Sequence, residues 1–108
     1  MAVVINANFG INTDVNKIFS QIGATLERSS LNDRRFDHGR GRFISCQSNG
    51  KVYSIVYHES KPHSGTAQVE NRLGHVIRSA KCDAPPGKWC VAYTKSGTFG
   101  GDKTYYNY

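Results

Sequence analysis

Asn49-Gly50 stands between two runs of strand-forming residues, Arg42–Ser48 and Lys51–His58, and constrains the fold of this chain more than any other feature. Both residues tolerate the positive φ that a type I′ turn requires, so the two runs are expected to fold back on each other as an antiparallel hairpin. A two-residue period puts Tyr53, Ile55 and Tyr57 on one face of the second run and Ser54, Val56 and His58 on the other. Further strand-like runs follow at Gly65–Arg72, His75–Ala80, Trp89–Thr94 and Lys103–Tyr108. Leu73-Gly74 supplies a second turn, and residues 95–102, with Gly97, Gly100 and Gly101, a looser connection. About six short strands with tight turns make a mainly β chain, arranged as a sandwich or a small barrel.

The first third has a different character. Val3 to Ile5 reads as a short strand and Asn6 to Asn12 as a turn. From Thr13 or Asp14, either of which caps a helix, Val15, Ile18, Phe19, Ile22 and Leu26 recur along one helical face. Gly23 is expected to weaken that helix by up to about 1 kcal/mol without ending it. Ser29 to Arg42 is polar, with Arg34, Arg35, Arg40 and Arg42, and reads as an exposed linker. The expected organisation is a strand-plus-helix extension over residues 1–35, packed on or beside a β domain of residues 36–108.

A chain of 108 residues supports one modest core. Fourteen Lys and Arg against eight Asp and Glu give a net charge of +6, which favours an anionic partner: nucleic acid, anionic lipid, a bacterial envelope or a phosphorylated lipid precursor. The same charge also serves plain solubility. No apolar stretch approaches the roughly 18 residues needed to cross a bilayer. Met1 to Asn6 has no basic leader before its apolar run, as expected either of a cytosolic protein or of a mature product whose leader has been removed.

Cys46, Cys82 and Cys90 are odd in number. Cys82 and Cys90 bracket Asp83-Ala84-Pro85-Pro86-Gly87-Lys88-Trp89, which folds back readily, so they form a candidate disulfide in an oxidising compartment. Pairings of Cys46 with either remain open. Without Cys-x-x-Cys or a compact histidine set, neither a metal site nor a cofactor is expected.

Pro62 lacks the N–H of a ladder bond, so the strand ending at His58 must stop, and His58, Glu59, Lys61 and His63 gather at one corner. His58 or His63 as a base, with Glu59 as its orienter and His38 or His75 approaching from elsewhere, would suit a ribonuclease-like enzyme. No residue is marked as a nucleophile by its surroundings. Arg34 to Arg42 and the six tyrosines suit single-stranded nucleic acid, yet no RNP, KH, zinc-finger or helix-turn-helix signature accompanies them. The tyrosines also fit as strand residues, about half facing the core, and Trp89 fits as an inter-sheet core residue.

Three groups of residues carry a family resemblance: Asp37-His38-Gly39-Arg40-Gly41; Tyr53-Ser54 and Tyr57-His58 followed by Ser60-Lys61-Pro62-His63-Ser64; and Trp89 with Tyr105-Tyr106-Asn107. In this order, from residue 36 onward, the chain resembles the lactococcin family of small secreted bacteriocins, which fold as a β-sandwich and bind lipid II without forming pores. The resemblance implies a small antiparallel β-sandwich over residues 36–108, and the strand-plus-helix extension of residues 1–35 lies outside it. It implies a secreted, non-enzymatic antibacterial protein that engages a cell-wall precursor and blocks septum formation. Lipid II presents a pyrophosphate, sugars and a peptide, for which His58, Lys61 and His63 would supply charge-assisted donors and Tyr53 or Tyr57 apolar contact. The extension would cap a sheet edge, supply a binding helix or join two copies as a homodimer.

Overall fold

The computed structural model describes residues 1–97 and 101–108. Its elements are β1 (Ala2–Ile5), α1 (Val15–Gln21), β2 (Asn32–Phe36), β3 (Gly41–Ser48), β4 (Lys51–His58), β5 (His63–Glu70), β6 (Val76–Ala84), β7 (Trp89–Lys95) and β8 (Asp102–Asn107). The Asn49-Gly50 hairpin forms as expected, with Ser48 opposite Lys51 and the two turn residues at φ 50° and 72°. The strands make two antiparallel sheets, one ordered β1-β7-β4-β3-β2 and the other β6-β5-β8. No helix among the described residues is long and apolar enough to cross a membrane.

Alternation along the strands sets three layers. One face of the five-stranded sheet carries Ile44, Cys46, Tyr53, Ile55, Tyr57, Trp89 and Val91, which pack with Ile5, Val15, Ile18 and Phe19 of the first third. The other face meets the three-stranded sheet through Ala80, Cys82, Ala84, Cys90 and Ala92, and through smaller groups around Phe43 and Val52. At Gly65 the two sheets approach so closely that a Cβ would meet Val56 Cγ2 at 2.8 Å and Ser54 Oγ at 2.9 Å, contacts real Cβ atoms do not make. Helix α1 thus covers the outer face of a sheet whose inner face is already sandwiched.

Several expectations need correction. Ser29 to Arg42 is no linker: β2 lies within it and pairs with β3 from Asn32↔Ser45 to Phe36↔Gly41. Its polarity is that of an edge strand, with Asn32 to Arg35 all exposed. Gly23 ends the helix instead of weakening it, at φ 68° just past the C-cap Ile22, while Ala24 N–H donates to Phe19 O at 3.0 Å. Asp14 is the N-cap, accepting from Asn16 N–H at 2.8 Å. Trp89 packs under the extension, not between the sheets, and its indole N–H donates to Gly10 O at 3.1 Å. Of the looser connection at 95–102, residues 98–100 lie outside the described residues.

The disulfide Cys82–Cys90 ties β6 in one sheet to β7 in the other, and Cys46 is free and buried. Closing so short a loop removes few unfolded conformations, so reduction is expected to lower stability by about 2–3 kcal/mol. Chemical denaturation with and without reductant measures this; equal midpoints would show that the sheets hold together without the bridge.

Candidate functional site

The histidine corner is built by two hairpin ends. Between β2 and β3 the chain reverses through Asp37, His38 and Gly39, at φ 51°, 57° and 85°. Aspartate and histidine are among the few side-chain-bearing residues that enter the left-handed region readily. Gly41 follows because the Phe36 ring lies across its α-carbon, in space a Cβ would need. Opposite Gly41 in register is His58, the last residue of β4.

His58 is fully buried. Its Nδ1 accepts from the backbone N–H of Ser60 at 3.1 Å and of Lys61 at 3.0 Å, which puts the ring proton on Nε2, where it donates to Asp37 Oδ2 at 2.7 Å. The Asp37 carboxyl is held below its ordinary value, first by this hydrogen bond and then by the Lys61 charge, with burial opposing. His63 is wedged between two carbonyls, Lys61 O at 3.0 Å from Nδ1 and Lys88 O at 2.7 Å from Nε2. Both rings therefore spend their nitrogens inside the chain. Neither ring is free to act as the base that the ribonuclease-like alternative assigns to it.

Lys61 is different. Its side chain is half exposed, with Nζ 3.5 Å from Asp37 Oδ2 and 5.4 Å from the centre of the Tyr108 ring. Tyr108 stacks on His58 at 5.5 Å and lies against Phe36 at 4.8 Å, and Tyr106 stacks on Phe36 at 4.3 Å. Beside this aromatic group is an open cleft of about 270 Å³, lined among others by His63, Ser64, Lys81, Asp83 and Tyr108. Lys81 lies 3.6 Å from Asp83, and both side chains are largely exposed.

His58, Lys61 and His63 thus come together as expected; the Tyr57 ring reaches His63 from the buried side, 6.3 Å between centres, whereas Tyr53 lies away from them. Tyr53 meets Phe19 edge-on at 5.5 Å and Tyr57 lies 5.0 Å from Trp89, both buried beneath the extension. Burial first pushes both phenols up, helped at Tyr53 by Tyr93 and Cys46 and at Tyr57 by Glu59. The alternation that separates Tyr57 from His58 was the available signal for this. Tyr108 and Lys81 are the additions at the corner, and only the pairing of β5 with β6 and β8 brings them there.

A second depression, about 580 Å³, is lined by Arg28, Arg35, Arg42, Asp14 and Asp33 among others. Its strongest donor is already used. Buried Arg42 makes a two-pronged pair with Asp33 at 2.9 and 2.7 Å, donates to Ile11 O and Thr13 O at 3.1 and 2.6 Å, and covers the Trp89 ring. Arg35 donates to Asn12 Oδ1 at 2.6 Å. These arginines clamp the extension to the sheet. Burial, with Glu27 nearby, pushes the Cys46 thiol up to about 12, which keeps it protonated. Among the described residues no group of three His, Cys, Asp or Glu side chains is placed to hold a metal ion.

The sequence profile of a family described as Bacteriocin (Lactococcin 972) matches residues 37–106, starting at the left-handed turn of Asp37 and ending in β8. No curated protein and no solved structure matches the chain.

Proposed function

The chain belongs to the lactococcin 972 family of bacteriocins, whose pattern covers residues 37–106, and from this premise we propose a secreted antibacterial protein that binds an anionic cell-wall precursor such as lipid II and blocks septum formation. The antibacterial role follows from the family. The ligand and the septal block are the finer part of the proposal. The observation that supports them is the corner itself: Lys61 and Lys81 present ammonium groups beside an open cleft edged by the exposed ring of Tyr108. Two cations and an aromatic face suit a headgroup that combines anionic groups with sugar rings. Asp37, His58 and His63 hold the turn that carries Lys61, so they act as positioning residues, and Tyr53 and Tyr57 support the strand from behind.

Binding to lipid II in neutral carrier lipid, compared with the carrier alone, tests the ligand directly. Saturable binding is expected, weakened at least tenfold by Lys61→Glu with Lys81→Glu, since a charge-assisted hydrogen bond contributes about 1.5–3 kcal/mol. Both residues are exposed, so circular dichroism should stay unchanged. Absence of lipid II binding by the folded protein would end this reading, and tighter binding to single-stranded RNA would favour the nucleic-acid alternative.

A further inference from the structure

The opposite end of the three-stranded sheet carries an apolar tip that no other described residue covers. Between β5 and β6 the chain turns through residues 71–75, and the turn is rigid. Asn71 Oδ1 accepts from the N–H groups of Leu73 at 2.9 Å and His75 at 3.0 Å, Asn71 N–H donates to His75 O at 2.8 Å, and Gly74 sits at φ 81°. This well-formed turn holds Leu73 out at 79% exposure, and Val76 and Ile77 behind it are 52% and 51% exposed. Glu70 pairs with Val76 and Val69 with Arg78, so a β-bulge at Ile77 interrupts the alternation at the base of the turn and leaves both side chains exposed together. Single exposed apolar side chains are ordinary; three within five residues at one stiff turn are not.

The surroundings are cationic. Arg78 is held by the carbonyls of Lys95 at 2.9 Å and Ser96 at 3.2 Å, which brings the end of β7 beside the base of the hairpin. There Lys51 and Lys95 stand directly opposite each other in the ladder, a like-charge pairing that works against the sheet. The nearby acids are engaged elsewhere: Glu70 pairs with Lys103 at 2.9 Å, and Asp102 accepts from Gln47. Among the described residues no carboxylate pairs with Lys51, Lys95 or Arg78.

An apolar point with cations at the same end of the molecule that no described carboxylate pairs, Lys51 over the Tyr93 ring among them, complements one kind of surface, a bilayer whose headgroups are anionic and whose interior accepts the point. We propose that this end of the protein is a membrane-docking surface: Leu73, Val76 and Ile77 enter the interfacial region of an anionic phospholipid bilayer, while Lys51, Lys95 and Arg78 meet lipid phosphates. Docking in this way does not depend on lipid II. It does bear on how such a ligand is read, because His63 and Glu70 lie at opposite ends of β5, about 23 Å apart at the usual strand rise. The cleft beside Lys61 and Lys81 then stands at the end away from the bilayer, where the anionic groups within its reach are the carboxylates of a headgroup's peptide.

Sedimentation with vesicles free of lipid II tests the proposal. The full chain should pellet with phosphatidylglycerol–phosphatidylcholine vesicles and remain in solution with phosphatidylcholine alone, with binding falling as salt is raised. Leu73→Asp should weaken partitioning at least tenfold, and Lys51→Glu with Lys95→Glu by a similar factor, given roughly fivefold per cation at such a surface. Leu73→Trp adds a readout that does not depend on loss of function: its emission should shift to the blue with anionic vesicles and be quenched by brominated lipid. Equal partitioning of Leu73→Asp and the parent chain would overturn the proposal. So would a Leu73→Trp emission that vesicles leave unchanged, or a concentration-dependent dimer lost in Leu73→Asp without any vesicle binding.

Discussion

Removal of residues 1–26 is expected to abolish cooperative folding of the remainder. The family pattern begins at Asp37, which invites treating the first third as an appendage, but packing argues otherwise. Ile5, Val15, Ile18 and Phe19 are at most 7% exposed, and each is worth about 1.5–3 kcal/mol of buried apolar surface. Together they supply about 6–12 kcal/mol as an upper estimate, against roughly 5–15 kcal/mol for the whole stability of a domain this size. Deletion also bares Ile44, Tyr53, Ile55, Trp89 and Val91 on the outer sheet face. It strips β1 from β7, whose Tyr93 exchanges hydrogen bonds with Met1, and leaves Arg42 without the carbonyls of Ile11 and Thr13. The truncated chain should show no sigmoidal thermal transition and should bind a hydrophobic dye. Phe19→Ala in the full chain, a milder test of the same interface, should cost about 3–5 kcal/mol. A fragment that melted cooperatively within a few degrees of the parent would show that the β-sandwich is complete without its cover.

What could be read from residue order was governed by local rules. Asn49-Gly50 and the alternation of Lys51–His58 specify the hairpin, its register and its two faces, because turn geometry and side-chain period act over a few residues. Strand β2 was hidden because an edge strand exposed on both faces has no apolar period to display, and its pairing with β3 depends on a reversal at Asp37 and His38 that ordinary turn signals do not announce. Lys61 was legible as the charged member of a proline-ended corner. The burial of His58 was not: the carboxylate that takes its proton stands 21 positions earlier, and only the β2–β3 turn brings it near. Tyr108 and Lys81 reach the cleft from separate strands, a juxtaposition set by sheet order alone.

The His58–Asp37 pair should govern both the corner and the acid limit of the fold. Replacing His58 with alanine leaves the N–H groups of Ser60 and Lys61 without their acceptor and Asp37 without its main donor. Donors left unpaired cost about 1–3 kcal/mol each, so a total loss of about 2–6 kcal/mol is expected, with the cavity from the missing ring in addition. Any ligand contact made by Lys61 should weaken with it, since the turn presenting that side chain loses its anchor. Acid provides the separate test. The Asp37 carboxyl titrates below its ordinary value of 3.8 in the folded chain, so the folded state binds its proton less readily than the unfolded state. The stabilisation this gives is complete above the unfolded value and is lost as pH falls through the depressed folded value. Asp37→Asn removes that contribution at every pH. Denaturation at pH 6 should therefore separate parent and Asp37→Asn clearly, and the gap should narrow as pH falls through the depressed folded value, where the parent's carboxyl also takes up its proton. In the His58→Ala background, the effect of Asp37→Asn at pH 6 should shrink, because the hydrogen bond that depresses the carboxyl is already gone. A parent–variant gap that stayed constant across that fall in pH, or an undiminished Asp37→Asn effect in the His58→Ala background, would show that the two residues are neighbours without being coupled.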